Sequence, residues 1–411
     1  MQRLRLALFQ PAPPFVGGAE ILQHRQAHYF AEHGCDVVIV TFGGEDPPVE
    51  PELQDLERIT VPRRHWRDAL QWTPVAKLAG RARRAARHFA RTDVVLAYNP
   101  PASTMLGAVD VEAQTVWQCN EPPRRLHLRE ANPTLTRHVE STRTATECDI
   151  AGLFRAQLDA YDRDLARSDL QRRRAFDVEC IRRLDAAYAL SEFSRENCRR
   201  IYGSCDDDPI PPIVAFPERS TPRQGAKRDE FGVLVHSRLD PTKNVDTVIR
   251  GFARFHRRCP EARLHVVGRG SHRERLEALA AELCAPNSVV FHGYLDEAAL
   301  ARVYAACDAF ALLPVDEPFG MVFPEAAARG LLLLGPSHGG PVEILDGGKH
   351  GWLCDAFSPE AVAEALAEMR ALGDDEIDRR RAEADRACRA RYAEKVVGPR
   401  LLQRLERLRA R

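Results

Sequence analysis

The feature that most constrains the fold is an alternation of short apolar runs and long amphipathic stretches, passed through twice. In the first half, apolar runs at residues 4–9, 36–41, 93–97, 115–118 and 186–190 read as strands. Stretches of helical spacing separate them. Residues 19–33 carry Ile21, Ala27 and Phe30, and a strongly charged stretch runs from residue 150 to residue 183. The alternation restarts in the second half, with strands expected at 232–236, 263–267, 288–292, 309–313, 331–334 and 351–354. Strands separated by helices run parallel, because each crossover returns the chain to the same end of the sheet. Each half therefore reads as a doubly wound α/β unit. The length of 411 residues agrees, since one core stops growing at about 250–300 residues.

A break divides the halves. Residues 203–222 contain Pro209, Pro211, Pro212, Pro217 and Pro222 and the acidic run Asp206-Asp207-Asp208. Proline withholds a backbone donor and resists both helix and central strand, so this stretch is expected to be a linker. The acidic run is read as a solvated charge run rather than a metal motif. The expected organisation is a first domain over 1–205, a linker over 206–230, a second domain over 231–390 and a basic terminal helix over 391–411 that packs back on the first domain.

Composition removes several classes. Lys plus Arg is 59 and Asp plus Glu is 59, so no overall field marks a nucleic-acid binder. The eleven cysteines are odd in number and scattered singly. That pattern fits reduced thiols in the cytoplasm, not a disulfide framework or a metal cluster. The first ten residues alternate like a strand, and no apolar run reaches the 18 residues of a membrane span.

In open α/β sheets, ligands bind beyond the carboxyl ends of the strands, so the loops there are where chemistry is sought. Three loops stand out. Residues 314–326 read Pro-Val-Asp-Glu-Pro-Phe-Gly-Met-Val-Phe-Pro-Glu-Ala and open a helix near Gly320. Glu317 and Glu325 are separated by seven residues, which spans roughly 10–12 Å if mostly helical. A retaining glycosidase pair sits about 5–5.5 Å apart, so this spacing does not suit that chemistry. It suits an elongated ligand with hydroxyls at both ends and an anionic middle facing the amides of Gly320, Met321 and Val322. The second loop reads Ser237-Arg238-Leu239-Asp240-Pro241-Thr242-Lys243-Asn244, and Arg238 and Lys243 supply the cations that a diphosphate leaving group needs. The third is Gly17-Gly18-Ala19-Glu20, where glycine permits close backbone approach and a helix start favours an anion.

With these motifs in place, the chain resembles the retaining family-four glycosyltransferases of the GT-B fold, the glycosyl transferases group 1. The resemblance covers residues 233–355 and the first forty residues, and the spaced-glutamate segment carries it most specifically. It implies two Rossmann-like doubly wound domains facing across a cleft, the first taking the acceptor and the second the nucleotide-sugar donor. Glu317 is then expected to hold hydroxyls of the transferred hexose and Glu325 the ribose. Arg238 and Lys243 would hold the diphosphate, with Gly17 and Gly18 giving backbone contact to the same phosphates. Gly293-Tyr294-Leu295 would line the base pocket. Phe319, Gly320, Met321 and Val322 would complete the donor contacts, and Ser337-His338-Gly339-Gly340 before Pro341 would form another donor-side loop. The co-substrate implied is a nucleotide diphosphate sugar, with no metal required. The acceptor implied is a hydroxyl on a glycan, a lipid-linked glycan or a small molecule.

One position departs from the family pattern. Many members carry a histidine near the end of the strand at 115–118, whereas this chain has Asn120. An amide can bond a sugar hydroxyl but cannot act as a base. This favours a front-face mechanism in which the departing phosphate takes the acceptor proton. Competing readings are a non-catalytic nucleotide-sugar-binding module and a sugar-nucleotide epimerase. Finally, residues 63–91 hold nine bases against the single acid Asp68, with Trp66 and Trp72 among them. An amphipathic basic helix there would dock reversibly on an anionic membrane, placing the protein at the inner membrane face.

Overall fold

The structure, a computed structural model, describes residues 3–11, 18–42, 56–61, 75–142, 149–166, 168–206, 208–217 and 230–410. The chain forms two compact units. The first comprises Met1–Ala131, Ala160–Ile213 and Glu394–Arg411, and the second Asn132–Asp159 and Val214–Ala393.

The first unit is built on a parallel six-stranded sheet. Its strands are β1 (Arg5–Pro11), β2 (Asp36–Phe42), β3 (Glu57–Val61), β4 (Val94–Ala97), β5 (Gln114–Cys119) and β6 (Ala186–Ala189), in the order β3-β2-β1-β4-β5-β6. The winding direction reverses between β1 and β4, which places a topological switch point at their carboxyl ends. Ala7, Phe9, Val95 and Ala97 pack on one face against Ala82, Ala85 and Phe89 and against Met105 and Leu106 of the Ala102–Gly107 helix. Strand β3 was not expected from the sequence. The charged stretch at 150–183 is two helices, Asp149–Leu165 and Ser168–Arg182.

The second unit repeats the plan. Strands β7 (Gly232–His236), β8 (Arg263–Val267), β9 (Val289–Gly293), β10 (Ala309–Ala311), β11 (Leu332–Pro336) and β12 (Trp352–Cys354) pair in parallel in the order β12-β11-β10-β7-β8-β9. The switch point here lies between β7 and β10. The six expected strands are present, with ends shifted by one or two residues.

Two expectations about the connection are corrected. Residues 208–217 are not a solvated linker: Ile210, Ile213 and Val214 are buried, and the Val214 amide donates to the Tyr392 carbonyl at 3.0 Å. Asp208 accepts from Arg400 at 3.1 Å and from Arg404 at 2.8 Å, so this acid fastens the Glu394–Arg409 helix within the first unit. Gly398 makes that packing close, because a Cβ there would lie 2.4 Å from the Tyr29 ring. Asp207 lies outside the described residues. The second correction concerns residues 132–159, which the sequence placed in the first domain and which cluster with the second unit.

Candidate functional site

The second unit gathers its loops at the carboxyl ends of β7, β8, β10, β11 and β12. Asn244 ties three of them together. It adopts the left-handed conformation, φ 53°, and is fully buried. Its Nδ2 donates to the Leu313 and Ala356 carbonyls at 3.0 and 2.7 Å, and its Oδ1 accepts from Thr247 at 2.9 Å. A buried amide with its polar atoms so engaged costs little and specifies one loop arrangement.

Glycine permits the next layer of contact. A Cβ on Gly270 would lie 2.3 Å from the Leu239 carbonyl oxygen, and one on Gly340 would lie 2.4 Å from the Pro318 oxygen. The loop of Arg238 is thus pressed on residues 268–272, with the Leu239 amide donating to Arg269 at 2.8 Å. The loop of Glu317 is pressed on residues 339–341, with the Gly340 amide donating to the Glu317 carbonyl at 2.8 Å.

On this frame Lys243, at the end of the short Pro241–Lys243 turn, places Nζ 2.6 Å from Glu317 Oε2. The two side chains are 19% and 17% exposed, so the pair is sheltered but reachable. Arg238 is half-exposed and pairs with Asp240 at 3.0 Å. Gly320 has φ 94°, a backbone state that glycine adopts without strain, and leads into the Val322–Ala328 helix that carries Glu325. Pro324 is accommodated because it falls in the first helical turn, where its missing N–H has no helical partner to lose. Tyr294 follows Gly293 at the end of β9 and is 70% exposed, with the Arg269 guanidinium 5.1 Å from its ring centre. An aromatic face held by one cation edge is a suitable platform for a planar group. Phe319 differs from expectation: its ring is buried, edge-on to Tyr392 at 5.1 Å, so only its backbone belongs to the loop. Gly18 opens the Gly18–Glu32 helix of the first unit, while Gly17 lies outside the described residues.

Two supports escaped the sequence reading. Asp316 is buried at φ 52°, and its two carboxylate oxygens accept from the Thr134 and Leu135 amides at 3.1 and 3.0 Å. It thereby caps the Pro133–Ser141 helix, whose own Asn132 makes no side-chain cap. His138 of that helix stacks on Phe357 at 3.6 Å between ring centres. Burial holds the His138 and His338 imidazoles below their ordinary range. The second support lies beneath the loops. His236, at the end of β7, has Nδ1 2.9 Å from the buried Tyr304 hydroxyl, and Arg329 covers the Tyr304 ring at 4.7 Å. Burial first, and Arg329 second, lower the His236 pKa to about 4. The only available signal for Asp316 was its place beside Glu317; a cap supplied from 180 residues away leaves no local pattern.

In the first unit, Asn120 lies just past β5. Its Nδ2 donates to Asn99 Oδ1 at 3.0 Å, and the residue is 7% exposed. The basic stretch is described only from residue 75. There Ala82, Ala85 and Phe89 are in the core, while Arg83, Arg87 and Arg91 are exposed. The apolar side of this stretch is therefore occupied by the chain's own sheet. Arg63, Arg64, Arg67, Trp66 and Trp72 lie outside the described residues. Among the described residues, no group of three or more His, Cys, Asp or Glu side chains could hold a metal ion. No helix among them is long and apolar enough to cross a membrane.

Two parallel six-stranded sheets with this winding give a two-domain α/β fold of the GT-B class. Residues 218–387 match the family model of the glycosyl transferases group 1. The chain is similar to the mannosylfructose-phosphate synthase of Agrobacterium fabrum, with 34% identity over 162 residues, 35% of each chain. It is also similar to the GDP-mannose-dependent alpha-(1-6)-phosphatidylinositol monomannoside mannosyltransferase of Mycolicibacterium smegmatis, with 31% identity over 206 residues, 46% of this chain and 53% of the relative. The chain thus spans about a third to a half of the length of these relatives. Among solved structures it superposes on Anabaena Alr3699/HepE in complex with UDP and glucose, with a TM-score of 0.71 at 16% identity, covering 98% of this chain and 100% of the other. Sucrose-phosphate synthase from Thermosynechococcus elongatus gives a TM-score of 0.70 at 18% identity, covering 99% and 100%. At these identities the likeness to both structures is one of fold.

Proposed function

We propose that this chain is a retaining glycosyltransferase that moves a hexose from a nucleotide diphosphate sugar to a hydroxyl acceptor without a metal. The observation that carries the reading is the Lys243–Glu317 pair at 2.6 Å. It puts a fixed cation beside a carboxylate in one loop cluster, which is what the junction between a diphosphate and a sugar requires. Lys243 and Arg238 stabilise charge that grows on the diphosphate as its bond to the anomeric carbon breaks. Glu317 accepts hydrogen bonds from the sugar hydroxyls, and Glu325 serves the ribose. Asn120 offers no base. The acceptor hydroxyl therefore attacks from the face the diphosphate leaves and passes its proton to the departing phosphate oxygen. Relatives named as GDP-mannose-dependent and structures solved with UDP support a nucleotide-sugar donor.

The test is a thermal-shift panel of nucleoside diphosphates and their sugars, followed by donor hydrolysis with and without acceptor in the presence of EDTA. A bound donor at about 100 times its dissociation constant adds about 2.7 kcal/mol. Slow hydrolysis that survives EDTA, and a product of unchanged anomeric configuration by NMR, are expected. Binding without any turnover would leave a non-catalytic module, and restoration of activity by a divalent ion would overturn the metal-free reading. Free thiols at the ten described cysteines suit a reducing cytoplasm. With Ala82, Ala85 and Phe89 buried, contact with an anionic membrane is electrostatic, through Arg83, Arg87 and Arg91. Sedimentation with anionic vesicles at low and high salt checks it.

A further inference from the structure

The turn that aims Glu317 is fastened from outside its own loop. Asp316, at φ 52°, bends the chain between β10 and the Val322–Ala328 helix. Non-glycine residues take this left-handed state rarely and keep it where the surroundings over-determine it. The Val315 amide donates to the Thr242 carbonyl at 3.1 Å, one residue before Lys243, and the Gly340 amide donates to the Glu317 carbonyl. Between these ties, the buried Asp316 carboxylate accepts from the Thr134 and Leu135 amides. Those two amides open the Pro133–Ser141 helix, where no helical carbonyl is available to them.

That helix is itself held in place. Leu135 and Val139 are buried, and His138 lies flat on Phe357, whose ring is also parallel to that of His338 at 6.4 Å. A carboxylate with both oxygens in charge-assisted bonds at a helix start has little freedom to turn. Asn132 stands at the cap position and belongs to a type that serves such amides well, yet its side chain makes no cap bond. The bond is made instead by the residue adjoining Glu317, whose carboxylate reaches Lys243 at 2.6 Å.

We infer that Asp316 is a positioning residue: the cap it lends to the Pro133–Ser141 helix fixes the backbone at 316–317 and thereby holds Glu317 against Lys243. A helix from the first half of the sequence thus completes the loop cluster of the second unit. The catalytic meaning of this rests on the proposed transfer reaction, but the hold on Glu317 can be tested without any substrate.

The experiment labels the lysines of the full chain with an amine-reactive ester and follows each by peptide mass spectrometry. The proteins are the wild type, Glu317→Gln, Asp316→Asn, Thr134→Pro, and Thr134→Pro combined with Glu317→Gln. Asparagine tolerates the left-handed backbone but turns an NH2 group toward one of the amides. Proline deletes the Thr134 N–H in the first helical turn, where its ring fits. Lys349, 71% exposed, is the internal reference. Labelling of Lys243 is expected to speed up by about fivefold or more in each single variant, the factor by which a pair of this kind shields its amine. The combined variant should show no further rise over Glu317→Gln. Unchanged Lys243 labelling in Asp316→Asn and Thr134→Pro would overturn the inference. A further rise in the combined variant would also overturn it, since it would mark general loosening. If Asp316→Asn does not fold, Thr134→Pro carries the same test. In transfer assays kcat should fall about 10- to 100-fold in both variants while UDP or GDP binds at least as tightly as to the wild type. Loss of diphosphate affinity along with kcat would mean a damaged loop and overturn the positioning role. Faster Lys243 labelling in the variants, with no transfer from UDP-glucose or GDP-mannose by the wild type, would uphold the fastening of Glu317 and remove the transferase reading instead.

Discussion

Replacing Glu317 by Gln tests the heart of the proposed donor site, because the roles proposed for Glu317 and Lys243 predict opposite effects on binding and on transfer. Glu317 holds Lys243 at 2.6 Å, with both side chains less than one-fifth exposed. Two unit charges about 4 Å apart attract by about 4 kcal/mol at an effective dielectric constant of 20. Desolvation and side-chain ordering offset much of this, leaving a net pair strength of about 1–2 kcal/mol. A bare nucleoside diphosphate must compete with Glu317 for that lysine and meets a second anion beside it. The Glu317→Gln variant removes both obstacles. Binding of UDP or GDP is expected to tighten by about 5- to 30-fold, the equivalent of 1–2 kcal/mol. Sugar transfer should fall by about 10²–10³, because the carboxylate proposed to accept from the sugar hydroxyls is gone. Calorimetry with the nucleoside diphosphate at low and high salt reads the first effect, and steady-state kinetics the second. Weaker diphosphate binding in Glu317→Gln than in the wild type would refute the reasoning, since it would put Glu317 on the nucleotide rather than the sugar.

Other outcomes follow from the same loops. Arg238→Ala and Lys243→Ala should each lower kcat by about 10²–10³ with smaller changes in donor KM, because in the proposed mechanism their charge is needed most as the diphosphate leaves. Near-normal turnover in steady-state kinetics would remove them from the site. Gly270→Ala should cost about 1–3 kcal/mol and weaken donor binding, because its Cβ would lie 2.3 Å from the Leu239 oxygen. Gly373→Ala, with nothing within 4 Å of the added Cβ, is the control for affinity: as the N-cap of the Asp374–Tyr392 helix it should lower the melting temperature a little and leave donor affinity unchanged. His236 supplies a pH signature. Its pKa in the fold is about 4, below the ordinary 6.5, so the stability it contributes is complete above pH 6.5 and is lost as pH falls toward 4. Urea titrations at pH 7.5 and pH 5 should show the wild type losing about 2 kcal/mol more than His236→Gln. Equal losses would mean the imidazole is not held neutral.

Local pattern by itself determined much of this protein. Apolar runs a few residues long, separated by helical spacing, require parallel strands, so the two sheets follow from periodicity in all strands but β3. Residues 57–61 hold only three apolar or β-branched side chains and two charges, and only Val61 is buried, which is too weak a signal to read without neighbours. Arg238, Lys243, Glu317 and Glu325 could be assigned to one edge because their segments come after β7 and β10, and a parallel sheet brings such connections to one edge. What tertiary structure alone decided is how those loops bear on one another. The pairing of Lys243 with Glu317 joins positions 74 residues apart. Asp316 caps a helix some 180 residues away, and Asp208 holds Arg400 and Arg404 near the end of the chain. Short-range periodicity is set by backbone geometry and can be read in a window of a dozen residues. An ion pair or a borrowed cap depends on which distant strand ends lie side by side, and only the folded chain settles that.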